Sequence, residues 1–460
     1  MGDRTSRVGA GDPGRWVDDR NAALLVDLYE LTMLQAYWRE GMAEEAVFSL
    51  FVRRMPRKRN YLLACGLDDA LRYLERLRFR EEEIAYLRTR DEFSAGFLEW
   101  LGGLRFTGDV RAVAEGTPVF AEEPILEVAA PLPEAQLAET FLMNQVHLQT
   151  VLASKASRLV TAARGRTVVD FGLRRMHGTD AGLKGARAFY IAGVDATSNV
   201  LAGAVYGIPI AGTMAHSYVQ AHDSVRAAFR AFTQLYPETI LLVDTYDTLD
   251  GVRAVIELAR EAGEAFRVRG VRLDSGELGP LASEARRMLD EAGLRSVEIF
   301  ASGGLDEEEI GELVRAGAPI AAFGVGTGIG VGRGAPALDM AYKLVAYAGR
   351  GRLKRSPGKG ILPGRKQVFR ELEDGCSVRD VIAREDEDLP GVPLLCSVME
   401  GGRRLSAGRV SLEEARRHAR EELDRLPERV RALDPAVPPY PVVVSDSLRR
   451  YRAEVEATLP

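Results

Sequence analysis

The chain has 460 residues, of which 46% are hydrophobic and 28% are charged. This balance is typical of a soluble globular protein with a large core, and it excludes a disordered or fibrous chain. The length favours about two or three domains, one of which could be a barrel.

Charge and cysteine content exclude several further classes. The net charge of −6 comes from interspersed acids and bases, without the basic excess that a nucleic acid partner requires. Cys65, Cys376 and Cys396 are far apart in the sequence, so neither a disulfide framework nor a zinc site is indicated. No stretch stays apolar for about 18 residues. We therefore expect a cytoplasmic protein that is not exported and does not span a membrane.

The N-terminal part is predicted to be a tail followed by a mixed domain. Residues 1–20 are polar and glycine-rich and are predicted to be disordered. Helical apolar spacing over 22–40 and 67–104 predicts helices, whereas residues 108–131 alternate with turn signals and predict short antiparallel strands. We expect an α+β domain over 21–135.

The central part of the sequence has a different pattern of apolar residues. Residues 133–164 predict one or two long helices, and from 167 to about 330 six short apolar runs alternate with helical stretches. The runs are TVVDFG, IPIAGTMAHS, TILLVDTYD, FRVRGVRLDSG, VEIFASGG and PIAAFGVGTG. This alternation predicts parallel strands with crossover helices, hence an α/β barrel domain over 136–340. Because there are six units rather than eight, an irregular barrel and an open doubly wound sheet both remain possible.

The last part, 341–460, is predicted to pack back on the N-terminal domain and the barrel. Its first thirty residues predict strand, turn and strand around a basic loop rich in proline and glycine. Residues 411–432 predict a charged helix, and the chain is predicted to end in another helix.

Each apolar run of the barrel ends in polar or glycine residues, at the edge where α/β barrels carry their active sites. Two glycine tracts, SGG at 302–304 and GVGTGIGVG at 324–332, favour a phosphate site built from backbone amides. Their spacing is not that of a dinucleotide-binding fingerprint. Asp244 and Asp274 predict a site for Mg²⁺ or sugar hydroxyls, the alternative being a helix cap.

Two further strand ends carry candidate groups. The segment DFGLRR at 170–175 places Phe171 and two arginines at the same edge, where arginine forks suit phosphate or carboxylate. His216 lies at the C-terminal end of the second run and is interpreted as a group that titrates or acts as a nucleophile. The alternative is an ordinary loop histidine.

Ten segments, in order, closely resemble nicotinate phosphoribosyltransferase. They are DLYELTMLQAYW (27–38), FVRRMP (51–56), DFGLRRMHG (170–178), GVDATSNVLAG (193–203), GIPIAGTMAHS (207–217), VDTYDT (243–248), VRLDSGEL (271–278), FASGGLDE (300–307), FGVGT (323–327) and KRSPGKGILPGRKQVFR (354–370). The resemblance runs from about residue 20 to 370.

The resemblance implies an activity and an assembly. The activity is formation of nicotinate mononucleotide and pyrophosphate from nicotinate and phosphoribosyl pyrophosphate, coupled to ATP hydrolysis, in NAD biosynthesis and salvage. This implies a ligase-type classification. The implied fold is the irregular barrel of type II phosphoribosyltransferases, and the implied assembly is a homodimer with active sites at the subunit interface.

The resemblance also implies residue roles around the reacting groups. His216 would be phosphorylated by ATP, with Asp244 at its other ring nitrogen. Asp274, with Arg272 nearby, would hold the ribose. Mg²⁺, with Asp244 and Asp274 as its candidate ligands, and Arg174 would offset the charge of the leaving pyrophosphate.

Other positions would bind the rest of the substrates. The pyridine ring would lie between Phe171 and Tyr29 of the partner subunit, with Arg175 a candidate for the nicotinate carboxylate. The remaining candidates are Gly303, Gly304, Gly324 and Gly326 for the 5′-phosphate, Arg53, Arg54, Lys354 and Lys359 for phosphates of either co-substrate, and Asp195, Thr213 and Ser217 as further substrate contacts.

One departure and three alternatives remain. MHG at 176–178 stands where the resemblance predicts a small residue and glutamine. The resemblance therefore does not define the role of Arg175 or the neighbouring base pocket. A nicotinamide-using relative has the same fold. A quinolinate enzyme is expected to be shorter and to lack the histidine. A non-catalytic barrel that binds a phosphorylated ligand is the alternative from another class.

Overall fold

The computed structural model describes residues 16–355 and 360–459. Residues 1–15 of the predicted tail, and Lys359, lie outside this part of the chain. The chain divides into two compact units. Unit 1 comprises Met1–Thr150, Ala337–Val430 and Ala436–Pro460, and unit 2 comprises Val151–Pro336 and Arg431–Pro435.

The α-helices are numbered along the chain. They are α1 Leu28–Glu40, α2 Leu67–Arg76, α3 Glu81–Arg88, α4 Ala95–Gly103, α5 Leu132–Leu137, α6 Glu139–Ala163, α7 Thr179–Ile191, α8 Val200–Tyr206, α9 His216–Gln220, α10 Val225–Leu235, α11 Thr248–Ala262, α12 Leu278–Glu291, α13 Glu307–Arg315, α14 Thr327–Gly330, α15 Leu412–Arg425, α16 Glu428–Arg431 and α17 Asp446–Ala457. Short 3₁₀ turns cover Ala22–Leu24, Leu173–Arg175, Gly263–Ala265 and Ser406–Gly408.

The strands are numbered in the same way. They are β1 Glu45–Val52, β2 Leu62–Leu63, β3 Asp109–Ala112, β4 Pro118–Val119, β5 Pro124–Pro131, β6 Thr167–Asp170, β7 Ala196–Thr197, β8 Ile240–Leu242, β9 Gly270–Leu273, β10 Glu298–Ala301, β11 Ala322–Val325, β12 Met340–Tyr347, β13 Arg350–Gly351, β14 Lys366–Glu373, β15 Cys376–Arg384, β16 Val392–Pro393, β17 Cys396–Glu400, β18 Arg403–Arg404 and β19 Val442–Val444.

Unit 1 is built on a seven-stranded sheet in the order β13-β12-β1-β5-β3-β17-β18. Its strand pairs are antiparallel, and β1 is buried along its whole length after Glu45. A four-stranded sheet, β16-β14-β15-β19, and the pair β2-β4 complete the unit. The predicted α+β character of the N-terminal region is present in this unit.

Unit 2 is built on a six-stranded parallel sheet in the order β7-β6-β11-β10-β9-β8, curled into a half-barrel. Its strands are short and mostly buried, as the apolar runs predicted. Side chains of β6, β10 and β11 form an apolar cluster around Val169, Phe300 and Ala322. The predicted irregular α/β barrel is thus confirmed.

One predicted strand is wrong. The run at 208–211 makes only an isolated parallel bridge between Ile210 and Thr197. Pro209 has no N–H to donate to a ladder, and Ile210 is 59% exposed rather than buried. The chain instead adds β7, which the sequence pattern did not reveal.

No helix in the described part of the chain is long and apolar enough to cross a membrane.

Candidate active site

Arg272 is the centre of a hydrogen-bonded cluster at the carboxyl edge of the parallel sheet. Its Nη1 donates to Asp274 Oδ1 at 3.0 Å and to Ser302 Oγ at 3.1 Å, and its Nη2 donates to the carbonyl of Met214 at 2.8 Å. Ser302 Oγ in turn donates to Asp274 Oδ1 at 2.5 Å. One buried guanidinium therefore connects the ends of β9 and β10 with the loop before His216.

The surroundings of Arg272 also show which charges act at this edge. Burial lowers the pKa of the Arg272 guanidinium, and the positive charge of Arg174 lowers it further, whereas Asp274 and Asp244 oppose that change. Arg174 thus acts electrostatically on the cluster, as expected of a residue at the same edge. Its side chain is exposed, on the 3₁₀ turn that follows β6.

His216 begins α9 and contacts two strand ends. Its Nε2 lies 3.6 Å from Asp274 Oδ2, and its Nδ1 lies 3.1 Å from the hydroxyl oxygen of Thr245. The imidazole is 40% exposed. The structure therefore brings together His216, Asp274 and Arg272, which are far apart in the sequence.

Asp244 does not take the predicted place beside the imidazole. Its Oδ2 accepts from the backbone N–H of Asp274 at 2.9 Å and from Ser275 Oγ at 2.5 Å. These bonds draw the carboxylate towards the turn after β9, and the next residue, Thr245, occupies the position at Nδ1. Sequence reasoning missed Thr245, although it stands in the same VDTYD segment.

Asp244 is the best candidate ligand for a cation. Its Oδ1 is buried and has no hydrogen-bond partner in the described chain, and carboxylate oxygen is the ligand that Mg²⁺ prefers. Across residues 16–355 and 360–459, no group of three or more acidic, histidine or cysteine side chains is arranged to hold a metal. The residues fit a Mg²⁺ with few protein ligands and several oxygens from substrate.

The glycine turn after β10 has the conformation that its sequence requires. Gly303 and Gly304 have φ of +95° and +75°, where L side chains are strained. A Cβ on Gly303 would lie 1.8 Å from the carbonyl oxygen of Asp274, whereas a Cβ on Gly304 would meet nothing within 4 Å. The turn therefore approaches Asp274 closely and leaves open space over Gly304.

Gly324 and Gly326, the other two glycines predicted to bind the 5′-phosphate, have different roles. Gly326 follows β11 and precedes α14, at the edge where a phosphate was predicted. Gly324 lies inside β11, and a Cβ there would approach the ring of Phe171 to 2.5 Å. Gly324 thus makes room for Phe171, which stacks on Phe300 with ring centroids 6.0 Å apart, and it is not placed in the turn as predicted.

The unexpected Met176 packs inward. A Cβ on Gly185 would lie 2.3 Å from the Met176 methyl carbon, and one on Gly330 would lie 2.9 Å from its Cγ. Met176 thus packs against α7 and α14 and anchors the turn that carries Arg174 and the exposed Arg175.

Three predicted substrate contacts are less well placed. Asp195 precedes β7 and accepts from the N–H of Val168 at 2.9 Å, towards the amino end of the strands rather than the carboxyl edge. Thr213 directs its hydroxyl to the carbonyl of Met214 at 3.3 Å. Ser217 is exposed in the first turn of α9, beside His216.

Four predicted residues belong to unit 1. Arg53 pairs with Asp339 at 3.1 Å, and Arg54 and Lys354 are exposed. Tyr29 is 45% exposed on α1. Burial, together with the carboxylates of Glu139 and Glu30, raises the pKa of the Tyr29 phenol.

Comparison with known proteins gives consistent results. Residues 24–147 match the nicotinate phosphoribosyltransferase (NAPRTase) N-terminal domain, and residues 167–348 match the NAPRTase family. The nicotinate phosphoribosyltransferase pncB2 of Mycobacterium tuberculosis is 57% identical, covering 93% of this chain and 92% of the relative. The nicotinate phosphoribosyltransferase of Bacillus subtilis is 42% identical, covering 81% and 78%.

A solved structure agrees with these relatives. The crystal structure of human nicotinic acid phosphoribosyltransferase superposes with a TM-score of 0.82 at 31% identity, over 94% of this chain and 99% of that chain. The half-barrel and its charged carboxyl edge define an α/β protein of the phosphoribosyltransferase class. Within that class, the chain belongs to the nicotinate phosphoribosyltransferase family.

Proposed function

We propose that this chain transfers the phosphoribosyl group of phosphoribosyl pyrophosphate to nicotinate, forming nicotinate mononucleotide and pyrophosphate in NAD biosynthesis and salvage. The observation that carries the proposal is the cluster of Arg272, Asp274, Ser302 and His216 at one sheet edge. The relatives named for this activity support it across most of the chain.

The cluster suits a reaction in which positive charge develops on the ribose. As the bond to pyrophosphate breaks, the anomeric carbon becomes cationic, and the carboxylate of Asp274 stabilises that charge. Arg272 and Ser302 hold Asp274 through its Oδ1, and its Oδ2 faces His216 Nε2 at 3.6 Å. Arg174 offsets the negative charge that gathers on the leaving pyrophosphate.

The glycine turn and the aromatic ring bind the two ends of the product. Backbone amides near Gly303, Gly304 and Gly326 receive the 5′-phosphate. Phe171 forms one wall for the pyridine ring, and Arg175 binds the nicotinate carboxylate. Gly324 supports this wall because it leaves space for the Phe171 ring.

Mg²⁺ is proposed as the cation of the reaction, with Asp244 and Asp274 as its protein ligands. When bound, it neutralises phosphate charge and orients the pyrophosphate. The unpartnered Oδ1 of Asp244 supports this assignment.

ATP is proposed as a second co-substrate that phosphorylates His216, which gives the enzyme its ligase-type classification. The partly exposed imidazole is accessible to a nucleotide, and a neutral ring nitrogen is a competent nucleophile for phosphorus. Arg53, Arg54, Lys354 and Lys359 supply positive charge for phosphates of either co-substrate.

A homodimer is proposed to complete each site with Tyr29 of the partner subunit. Large apolar side chains are exposed on two helices, as expected of surfaces that another chain covers. They include Leu28 and Tyr29 on α1, and Val200, Leu201 and Val205 on α8.

A substrate panel tests the function. Purified protein is given phosphoribosyl pyrophosphate with nicotinate, nicotinamide or quinolinate, each with and without Mg-ATP. We expect product from nicotinate, faster when Mg-ATP is present. Product from nicotinamide alone would reverse the substrate assignment, and no product from any base would indicate a non-catalytic phosphate-binding barrel.

A His216→Ala variant tests the ATP coupling separately. We expect it to form nicotinate mononucleotide without any acceleration by Mg-ATP. Normal ATP stimulation of this variant would contradict a phosphorylated histidine.

A further inference from the structure

Within the described part of the chain, Thr245 is the side chain that hydrogen-bonds the His216 ring. Its Oγ1 lies 3.1 Å from Nδ1, while the opposite ring nitrogen, Nε2, faces Asp274 Oδ2 at 3.6 Å. Thr245 is half-buried in the segment that follows β8. The two ring nitrogens of His216 therefore have different environments: one contacts a neutral hydroxyl, and the other faces a carboxylate.

We propose that Thr245 is the positioning residue of His216 and that it directs phosphorylation to Nε2. This inference rests on the proposed function, because it takes ATP as the phosphoryl donor. A neutral imidazole has one N–H and one lone pair, and a hydroxyl at Nδ1 can accept that N–H or donate to that lone pair. We assign the Thr245 hydroxyl as the acceptor, which leaves the lone pair on Nε2. In this arrangement Thr245 fixes both the orientation of the ring and its reactive nitrogen.

The phosphoryl transfer balances with this assignment. The lone pair of Nε2 forms a bond to the γ-phosphorus of ATP, and the bond from that phosphorus to the bridging oxygen breaks, with its electron pair leaving on ADP. The proton stays on Nδ1, where Oγ1 of Thr245 accepts its hydrogen bond. Later transfer of the phosphoryl group to water releases phosphate and restores the imidazole.

Asp244 supports this arrangement indirectly. Its Oδ2 is engaged by Asp274 N and Ser275 Oγ at 2.9 and 2.5 Å, so it fixes the turn that carries Asp274. The hydroxyl that contacts Nδ1 and the carboxylate near Nε2 therefore come from two different segments, after β8 and after β9. Removal of the hydroxyl should therefore affect the histidine and leave the ribose-binding carboxylate in place.

The test combines one site variant, one rescue and one matched control. Thr245→Val keeps the branched shape and removes the hydroxyl, whereas Thr245→Ser keeps the hydroxyl. Thr239→Val is the control, since Thr239 precedes the same strand at its amino end and its hydroxyl contacts only the carbonyl of Ile240, at 3.5 Å. Each protein is incubated with γ-³²P-labelled ATP, and the amount and ring position of phosphohistidine are determined.

The expected result is phosphorylation of the wild type on Nε2. Loss of one hydrogen bond should lower the phosphohistidine level of Thr245→Val by about tenfold. Thr245→Ser and Thr239→Val should stay near the wild type. Thr239→Val should also keep the wild-type rate of nicotinate mononucleotide formation without ATP, and recovery of phosphorylation in Thr245→Ser distinguishes loss of the hydroxyl from a general structural defect.

Several outcomes would overturn the inference. Phosphate on Nδ1 of the wild type would overturn the inference, even if Thr245→Val fails to fold. A phosphohistidine level in Thr245→Val equal to that of the wild type would also overturn it. So would a Thr245→Ser variant that fails to recover phosphorylation. Absence of phosphohistidine in an otherwise active wild type would overturn both this inference and the ATP coupling. A wild type that makes no nicotinate mononucleotide but is phosphorylated on Nε2 would contradict only the proposed transfer reaction.

Discussion

Gly303 packs its backbone against the carbonyl oxygen of Asp274, so closely that a Cβ on Gly303 would lie 1.8 Å from that oxygen. The glycine turn after β10 and the carboxylate turn after β9 are therefore one structural element. This contact explains why a residue without a side chain is needed at the end of β10.

A Gly303→Ala substitution should displace Asp274 and impair catalysis. The added methyl group cannot fit, and a shift of about 1 Å in a reacting group costs about 100-fold in rate. Steady-state kinetics with phosphoribosyl pyrophosphate would measure this loss. Gly304→Ala is the matched control, since it shares the positive φ but has open space, and it should retain much more activity.

Removal of Lys155 should destabilise unit 2. Lys155 on α6 forms a buried ion pair with Glu307, which also accepts from Arg158 Nε at 2.9 Å. Breaking a buried pair costs about 3–5 kcal/mol when the remaining charge is left uncompensated. Because Arg158 still pairs with Glu307, we expect Lys155→Met to lower the free energy of unfolding by a smaller amount, about 1.5–3 kcal/mol, in urea denaturation followed by circular dichroism.

The double variant Lys155→Met/Glu307→Leu provides the control for this ion pair. It should be less stable than Lys155→Met, because removal of Glu307 also leaves the buried Arg158 guanidinium without its carboxylate. A single variant that unfolds like the wild type would show that the pair contributes nothing.

Glu30 should make unit 1 less stable as the pH rises. Burial raises the pKa of Glu30 to about 8, and Glu139 adds to the rise, although the hydrogen bonds from Thr140 oppose it. The usual glutamate value is 4.5, so between pH 4.5 and about 8 the folded chain keeps a proton that the unfolded chain has lost. Stability from this group is therefore full below pH 4.5 and declines up to about pH 8.

A Glu30→Gln variant should remove that decline. Its free energy of unfolding, measured by urea denaturation at several pH values between 5 and 9, should fall less than that of the wild type. Equal slopes for the two proteins would contradict a protonated Glu30.

The sequence predicted the strand ends of the half-barrel well, for a physical reason. Strands buried on both faces are continuous apolar runs, and polar residues or glycines mark where they leave the core. Asp244, Asp274 and the turn at 302–304 could all be located in this way. The run at 208–211 misled because only Ile208 enters the core, whereas Ile210 is exposed and makes an isolated bridge instead of a strand.

The side-chain contacts could not be predicted from spacing. Whether Asp244 or Thr245 reaches His216 depends on hydrogen bonds to the neighbouring turn at Ser275, which is distant in sequence. Likewise, Gly324 must lack a side chain because the ring of Phe171, which follows β6, occupies that space. Such long-range contacts decide which member of a motif acts.

The rate of nicotinate mononucleotide formation by an Asp274→Asn variant tests the central claim most directly. This substitution keeps the size of the side chain and removes the charge that faces His216 and the proposed ribose site. The control is Asp250→Asn, an aspartate whose side chain is 70% exposed on α11. We predict a loss of at least about 100-fold for Asp274→Asn, in keeping with loss of a charge-stabilising group, and near-normal activity for the control. A folded Asp274→Asn variant with the wild-type rate would contradict the assignment of the active site to this edge of the sheet.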